Sequence, residues 1–155
     1  MLTFEIENEA EVRAAWAEAL GKISDGIGRG VRLGVEEGAA EARRVHRYKD
    51  RTGKLTASTR GRMETVTRGG AVGILQATRR YASYVEGGTR PHVIVPKKKR
   101  ALRWVDEAGV HFAKRVHHPG TQPFPFMGPA LLKAERVILR EVEIGVVEAQ
   151  RVMDR

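Results

Sequence analysis

The sequence predicts an α+β fold in which a long N-terminal helix and a C-terminal helix pack on a small, mostly antiparallel β-sheet. Three observations point there. Apolar residues recur at three- and four-residue steps over both ends of the chain, the mark of amphipathic helices. All six prolines fall between Pro91 and Pro129, where they favour turns and short extended pieces over helix. Between the helical ends, short β-branched runs are separated by glycine-rich turns, the pattern of hairpins.

A chain of 155 residues that is 41% apolar has the size and core-forming material of one domain, so residues 1–155 are expected to form a single domain. Within it the expected order is a strand and long helix over 1–48, a sheet region over 60–116, a proline-rich arm or loop over 117–129 and a C-terminal helix over 129–153.

Leu2, Phe4 and Ile6 alternate with Thr3, Glu5 and Glu7, which predicts a short half-buried strand at an edge or on a pairing arm. From Asn8, a good N-cap, the residues Val12, Trp16, Leu20, Ile23, Ile27, Val31, Val35, Ala39, Ala42 and Val45 carry the helical period. Unbroken to Tyr48, such a helix has roughly 40 residues and a length of about 60 Å, more than a domain of this size needs for its own core. Gly21, Gly26, Gly28, Gly30, Gly34 and Gly38 each cost roughly 1 kcal/mol against alanine in a helix interior. They imply a kink, a break near Asp25 to Gly30, or close approach by another backbone.

Met63 to Ala77 reads as a hairpin around Gly69-Gly70, and Arg79 to Val85 as a short helix ended by Gly87-Gly88. Val93 to Val95, Ala101 to Val105 and Val110 to Val116 read as three strands, the last two joined around Asp106-Glu-Ala-Gly. Pro129 suits the first turn of the last helix, whose stripe runs through Leu131, Ala134, Ile138, Val142, Gly145, Ala149 and Val152. Leu132, Val137, Leu139, Ile144, Val146 and Val147 widen that stripe, enough for the first helix and a second partner.

Lys and Arg total 28 against 19 Asp and Glu, so nucleic acid and acidic protein surfaces are the natural neighbours. The densest cluster is Arg43, Arg44, Arg47, Lys49, Arg51, Lys54, Arg60 and Arg62, opposed only by Asp50. It can face DNA phosphates or an acidic partner, although Tyr48 is the only Phe, Tyr or Trp interleaved for base stacking. Arg51-Thr-Gly-Lys-Leu-Thr lacks the long glycine loop of a phosphate-binding motif.

Several classes drop out. The absence of cysteine removes disulfide frameworks, thiol nucleophiles and cysteine-ligated zinc. No apolar run approaches the ~20 residues that span a bilayer, and the N-terminus lacks the regions of a signal peptide, so no membrane partner is expected. His92, His111, His117 and His118 invite a metal reading, but adjacent His117 and His118 point to opposite faces of a strand. His118 is expected to hydrogen-bond within the Pro119-Gly120 turn instead. Glu86, Asp106 and Glu107 sit beside glycines in turns rather than in a shared cleft. No catalytic residue, metal or cofactor is therefore expected, and the chain reads as a non-enzyme.

In order, Arg51-Thr-Gly-Lys-Leu, Tyr81-Ala-Ser-Tyr-Val-Glu-Gly-Gly-Thr-Arg-Pro-His, Ile94 to Pro96, Ala101-Leu-Arg-Trp and His118-Pro-Gly-Thr-Gln-Pro-Phe-Pro-Phe-Met-Gly-Pro-Ala-Leu cover residues 50–131. This set resembles the neck and tail-completion proteins of long-tailed bacteriophages, a head-tail connector or gene-product-ten-like family. That family usually carries an aromatic residue where Gly87 or Gly88 stands. The resemblance implies a structural virion protein, assembled in the host bacterial cytoplasm, that forms a ring in the neck joining head to tail. It implies a homo-oligomer on the order of six or twelve subunits, closed by head-to-tail interfaces. Head-closure, portal-side, tail-terminator or tail-tube proteins would be the neighbours, with non-specific contact to DNA in the channel. The alternative is a small basic RNA-binding or toxin-like protein.

Within that reading the arm over 117–129 has four prolines and two glycines yet carries Phe124, Phe126 and Met127. Those three are expected to dock on a neighbouring subunit, or else to close the subunit's own core.

Overall fold

Helix α1 (Glu9–Arg44) runs unbroken for 36 residues through every one of its glycines. Its dipole is matched at both ends, by Glu9 and Glu11 in the first turn and by Arg43 and Arg44 in the last. Asn8 stands at the N-cap in a left-handed conformation (φ 66°) and makes no side-chain capping bond, contrary to the expected cap. The helix stops four residues short of Tyr48. The computed structural model describes residues 8–155, and the strand expected at Leu2, Phe4 and Ile6 lies outside them.

The remaining elements are α2 (Lys54–Ser58), β1 (Thr59–Thr67), β2 (Gly70–Ala77), α3 (Ala82–Gly87), β3 (His92–Ile94), β4 (Leu102–Asp106), β5 (Gly109–Ala113), β6 (Val116–His118) and α4 (Met127–Met153). The fold is α+β, as the sequence predicts. In place of one small sheet there are three two-stranded antiparallel ladders among the described residues: β1-β2, β3-β6 and β4-β5. The chain divides into two compact units, one running up to Arg79 and resuming at Phe126–Arg155, the other comprising Arg80–Pro125.

The first unit is built on an antiparallel pair of helices, α1 and α4. Of the three explanations for the glycines, close approach by another backbone is the one observed, and the break near Asp25 to Gly30 does not occur. A Cβ on Gly26 would stand 2.8 Å from the carbonyl oxygen of Glu141 and 3.0 Å from Cα of Gly145. On Gly30 it would meet the Ile138 carbonyl at 3.0 Å, on Gly34 that of Ala134 at 3.0 Å, and on Gly38 that of Ala130 at 2.8 Å. From the other side, a Cβ on Gly145 would meet the Lys22 carbonyl at 2.8 Å. Four-residue steps form one ridge on a helix surface, so these glycines make a continuous groove into which the small residues of α4 fit.

Ala19, Ala149 and Val152 close the far end of the pair, with Ala15 and Ile23 packed against them. Glu141 is the one acidic residue buried in α4, at 9% exposure, and Arg29 of α1 approaches it at 3.6 Å. Arg29 also reaches Glu148 at 3.6 Å, and Lys133 reaches Glu37 at 2.9 Å.

The β1-β2 hairpin lies against α1 by the same device. Its loop is Arg68-Gly69, with Thr67 paired to Gly70, and the ladder starts at Thr59 rather than Met63. Glu64 is the extra residue of a bulge between Met63 and Thr65. A Cβ on Gly61 would collide with the Val35 backbone, and one on Gly73 would stand 2.6 Å from a Val35 methyl and 2.7 Å from a Val31 methyl. Ahead of the hairpin, Leu55 is buried, and its carbonyl accepts from the hydroxyls of Ser58 (2.8 Å) and Thr59 (3.1 Å).

In the second unit Gly88 (φ 69°) and Gly120 (φ 88°) turn two extended stretches so that they zip together. β3 pairs with β6 from His92↔His118 to Ile94↔Val116, and Thr89 and Thr121 exchange backbone bonds of 3.0 and 3.1 Å. Beyond them the Phe124 N–H donates to the Val85 carbonyl at 2.9 Å. β4 and β5 form a separate hairpin, its turn closed by Gly109 at φ 118°.

The glycine ridge predicts opposite signs for one substitution. Gly26→Ala, which forces the helices apart, should destabilise the protein by about 1–3 kcal/mol in urea titration, the usual cost of overpacking. At Gly21, where nothing lies within 4 Å of an added Cβ, the same change should stabilise it by up to about 1 kcal/mol. Stabilisation at both positions would contradict the packing described.

Candidate assembly surfaces

The basic cluster belongs to the first unit, and the fold divides it. The Arg43 guanidinium donates to the Thr59 carbonyl at 2.9 Å and so ties the end of α1 to β1. Arg44 pairs with Glu41 at 2.9 Å, and Arg62 with Glu64 at 3.4 Å. Arg47, Lys49, Arg51, Lys54 and Arg60 are exposed and enter no ion pair among the described residues. Five of the eight cations are thus available to a partner.

The loop that carries Arg51 is held by Asp50, whose carboxylate accepts from the Thr56 hydroxyl (2.6 Å) and N–H (3.0 Å). These bonds, the hydroxyl first, hold the Asp50 carboxyl below its ordinary value.

The proline-rich segment is not a free arm. Residues 117–124 pair back onto 85–94 of the same chain, and the His118 Nδ1 accepts from the Gly120 N–H at 3.0 Å, as expected for that turn. Phe126 is 1% exposed in the first unit, edge-on to Tyr48 at 5.3 Å, with His46 stacked on Tyr48 at 4.3 Å. It closes its own subunit's core, which corrects the expectation that it docks on a neighbour. The reason is its place one residue ahead of α4, where its ring fills the space beside Tyr48. Phe124 and Met127 are half-buried.

What the first unit does leave uncovered is apolar. A groove of about 820 Å³ runs between β2 and α4, floored by Val31 and Val35 and walled by Ala71 to Leu75 and by Leu131, Leu132, Ile138 and Leu139. Leu139 is 61% exposed, and Leu131, Leu132 and Val72 are more than half exposed. On α1 the stripe of Val12, Trp16 and Leu20 is also open, Trp16 at 55%. Patches of this kind on a folded unit mark contact surfaces.

In the second unit the β4-β5 hairpin has two unlike faces. On one, Trp104 stacks on His111 (5.2 Å), whose Nε2–H donates to Asp106 at 2.8 Å. That bond, with the Ala108 N–H at 2.9 Å, holds the Asp106 carboxyl below its ordinary value. On the other, Arg103, Val105, Val110 and Phe112 are exposed, Phe112 at 66%. At its base lie the exposed cations Lys97, Lys98, Lys99, Arg100, Lys114 and Arg115. Sequence reasoning passed over this second basic cluster, although the run of four cations was in plain view; it sits between strands rather than on a recognisable motif.

Among the described residues no three His, Asp or Glu converge as a metal site, and no helix is long and apolar enough to cross a membrane. His92 and His118 stack at 5.0 Å, with the His92 Nδ1 against the Arg90 carbonyl at 2.9 Å. Comparison with protein-family models, with curated proteins and with solved structures finds no match to the chain.

Two measurements check these assignments. Phe126→Ala should lower the unfolding free energy by about 3–5 kcal/mol, and Phe124→Ala by less; equal small effects would return Phe126 to the surface. Asp50→Ala should destabilise the protein at neutral pH and lose that effect in acid. The folded carboxyl titrates below its ordinary value, so its contribution is whole above the unfolded pKa and is lost as pH falls through the folded one. A destabilisation that persists unchanged to about pH 2 would contradict the assignment.

Proposed function

We propose that this is a structural protein of a tailed-phage virion, one subunit of a ring in the neck that joins head to tail. The uncovered apolar groove between β2 and α4 carries the assembly part of this reading. A folded unit of this size that keeps Leu131, Leu132 and Leu139 in water gains by covering them with another protein, at roughly 1.5–3 kcal/mol for each side chain fully buried. The resemblance of residues 50–131 to neck and tail-completion proteins supplies the setting.

On this reading the protein is not an enzyme, and its chemistry is that of surfaces. Head-to-tail contacts between copies close a ring when the rotation permits. Adjacent head-closure, portal-side, tail-terminator or tail-tube proteins cover what the ring leaves open. Arg47, Lys49, Arg51, Lys54 and Arg60 face DNA in the channel or an acidic neighbour, and the protein resides in the virion.

Negative-stain microscopy and native mass measurement of the purified chain test the reading. Discrete closed rings are expected, and a monomer at tens of micromolar would overturn it. The variant carrying Arg51→Ser, Lys54→Ser and Arg60→Ser should keep its melting temperature. If DNA is the partner, its duplex binding should weaken and the log–log salt slope should flatten by up to about 0.9 per cation removed. An unchanged slope would remove DNA from the account.

A further inference from the structure

The groove between β2 and α4 has a second property besides being apolar. β2 pairs with β1 along one edge only, and five consecutive residues, Ala71 to Leu75, line the groove along the other. Consecutive strand residues point to opposite faces, so a wall made of all five is the strand's edge, with its peptide groups unpaired by any described strand. The site therefore suits an extended segment that is apolar on alternate residues: backbone to β2, one row of side chains to Val31, Val35, Ile138 and Leu139.

The chain has such a segment. Leu2, Phe4 and Ile6 alternate with Thr3, Glu5 and Glu7. It cannot lie along the groove of its own subunit. The near end of the groove is Ala71, which pairs with Val66 beside Gly28 of α1, and the 19 steps from Glu9 to Gly28 cover about 28 Å at 1.5 Å each. The eight steps from Glu9 back to Met1 span at most about 26–29 Å even fully extended. That reach ends at the near end of the groove, and lying along β2 would need more.

Charge agrees with the placement. Gly61 faces α1, so its strand neighbours Arg60 and Arg62 stand on the outward face of the hairpin, Arg62 paired with Glu64 and Arg60 in no ion pair among the described residues. A strand added beside β2 with Leu2, Phe4 and Ile6 toward the helices turns Glu5 and Glu7 to that same outward, basic face.

We infer that residues Leu2 to Glu7 of one subunit add as a strand to the free edge of β2 in the next, burying Leu2, Phe4 and Ile6 in the groove. The inference rests on the ring reading above and names the contact that propagates the ring. Each subunit donates one segment and accepts one, a head-to-tail interface of the type that closes on itself.

The test compares the full chain with two variants by sedimentation velocity: deletion of residues 2–7, and Leu139→Glu in the groove. Leu139 is largely in solvent, so Leu139→Glu should melt like the parent. On this inference the deleted segment packs only on the neighbour, so its removal should likewise leave the monomer's melt unchanged. Each variant alone should be monomeric. Their mixture should give a one-to-one dimer and nothing larger, because one keeps an intact groove and the other an intact segment. A parent that assembles while either variant assembles equally well overturns the inference and leaves the ring reading standing. A mixture that stays monomeric also overturns it. A parent that is itself monomeric overturns both. The absence of cysteine allows a direct check in the full-length chain: Phe4→Cys and Leu139→Cys, on different molecules, should join through a short bismaleimide, and no crosslinked dimer above the single-cysteine controls would count against the contact.

Discussion

The contact on which the rest of this structure depends is the close approach of α1 and α4 along Gly26, Gly30, Gly34, Gly38 and Gly145. Backbone atoms of one helix lie where side chains of the other would be, and an added Cβ at any of these five places would stand 2.8–3.0 Å from an atom of the facing helix. Glycine weakens an isolated helix, so the sequence gives up helical propensity to gain contact area. A helix of 36 residues tolerates this because tertiary packing, not propensity, supplies most of its stability. The hairpin repeats the arrangement through Gly61 and Gly73.

This packing has a consequence for the surface. Because α1 and α4 meet through glycine and alanine, their large apolar residues are not needed between them. Val12, Trp16 and Leu20 on one helix, and Leu131, Leu132 and Leu139 on the other, are displaced to positions that the described residues leave open. The small-residue seam and the uncovered leucines are two sides of one design, and the second is the physical basis for reading the chain as an assembly subunit.

The sequence made the elements legible better than their partners. Both long helices, the Asp106-to-Gly109 turn, the short helix before Gly88 and the role of His118 follow from local chemistry, and local chemistry is what a sequence displays. The face that α1 turns to α4 was hidden because hydrophobic periodicity registers apolar mass, while this interface is made by its absence. The segment after His117 was misjudged for a related reason: its prolines were weighed and its pairing residues were not. Thr121 lies between those prolines and His118 just ahead of them, and the two pair with Thr89 and His92. Of the eight cations named from the sequence, Arg43, Arg44 and Arg62 are engaged within the fold, which charge counting alone does not reveal.

Hydrogen exchange on the protein in its assembled and dilute forms tests the central claim most directly. The α1–α4 seam should be the same in both forms, and the β2 groove filled only in the first. Amides of Gly26 to Gly38 should be equally protected throughout, while amides within Ala71 to Leu75 should gain protection on assembly. An assembled form whose β2 edge exchanges as fast as in the dilute protein would contradict it.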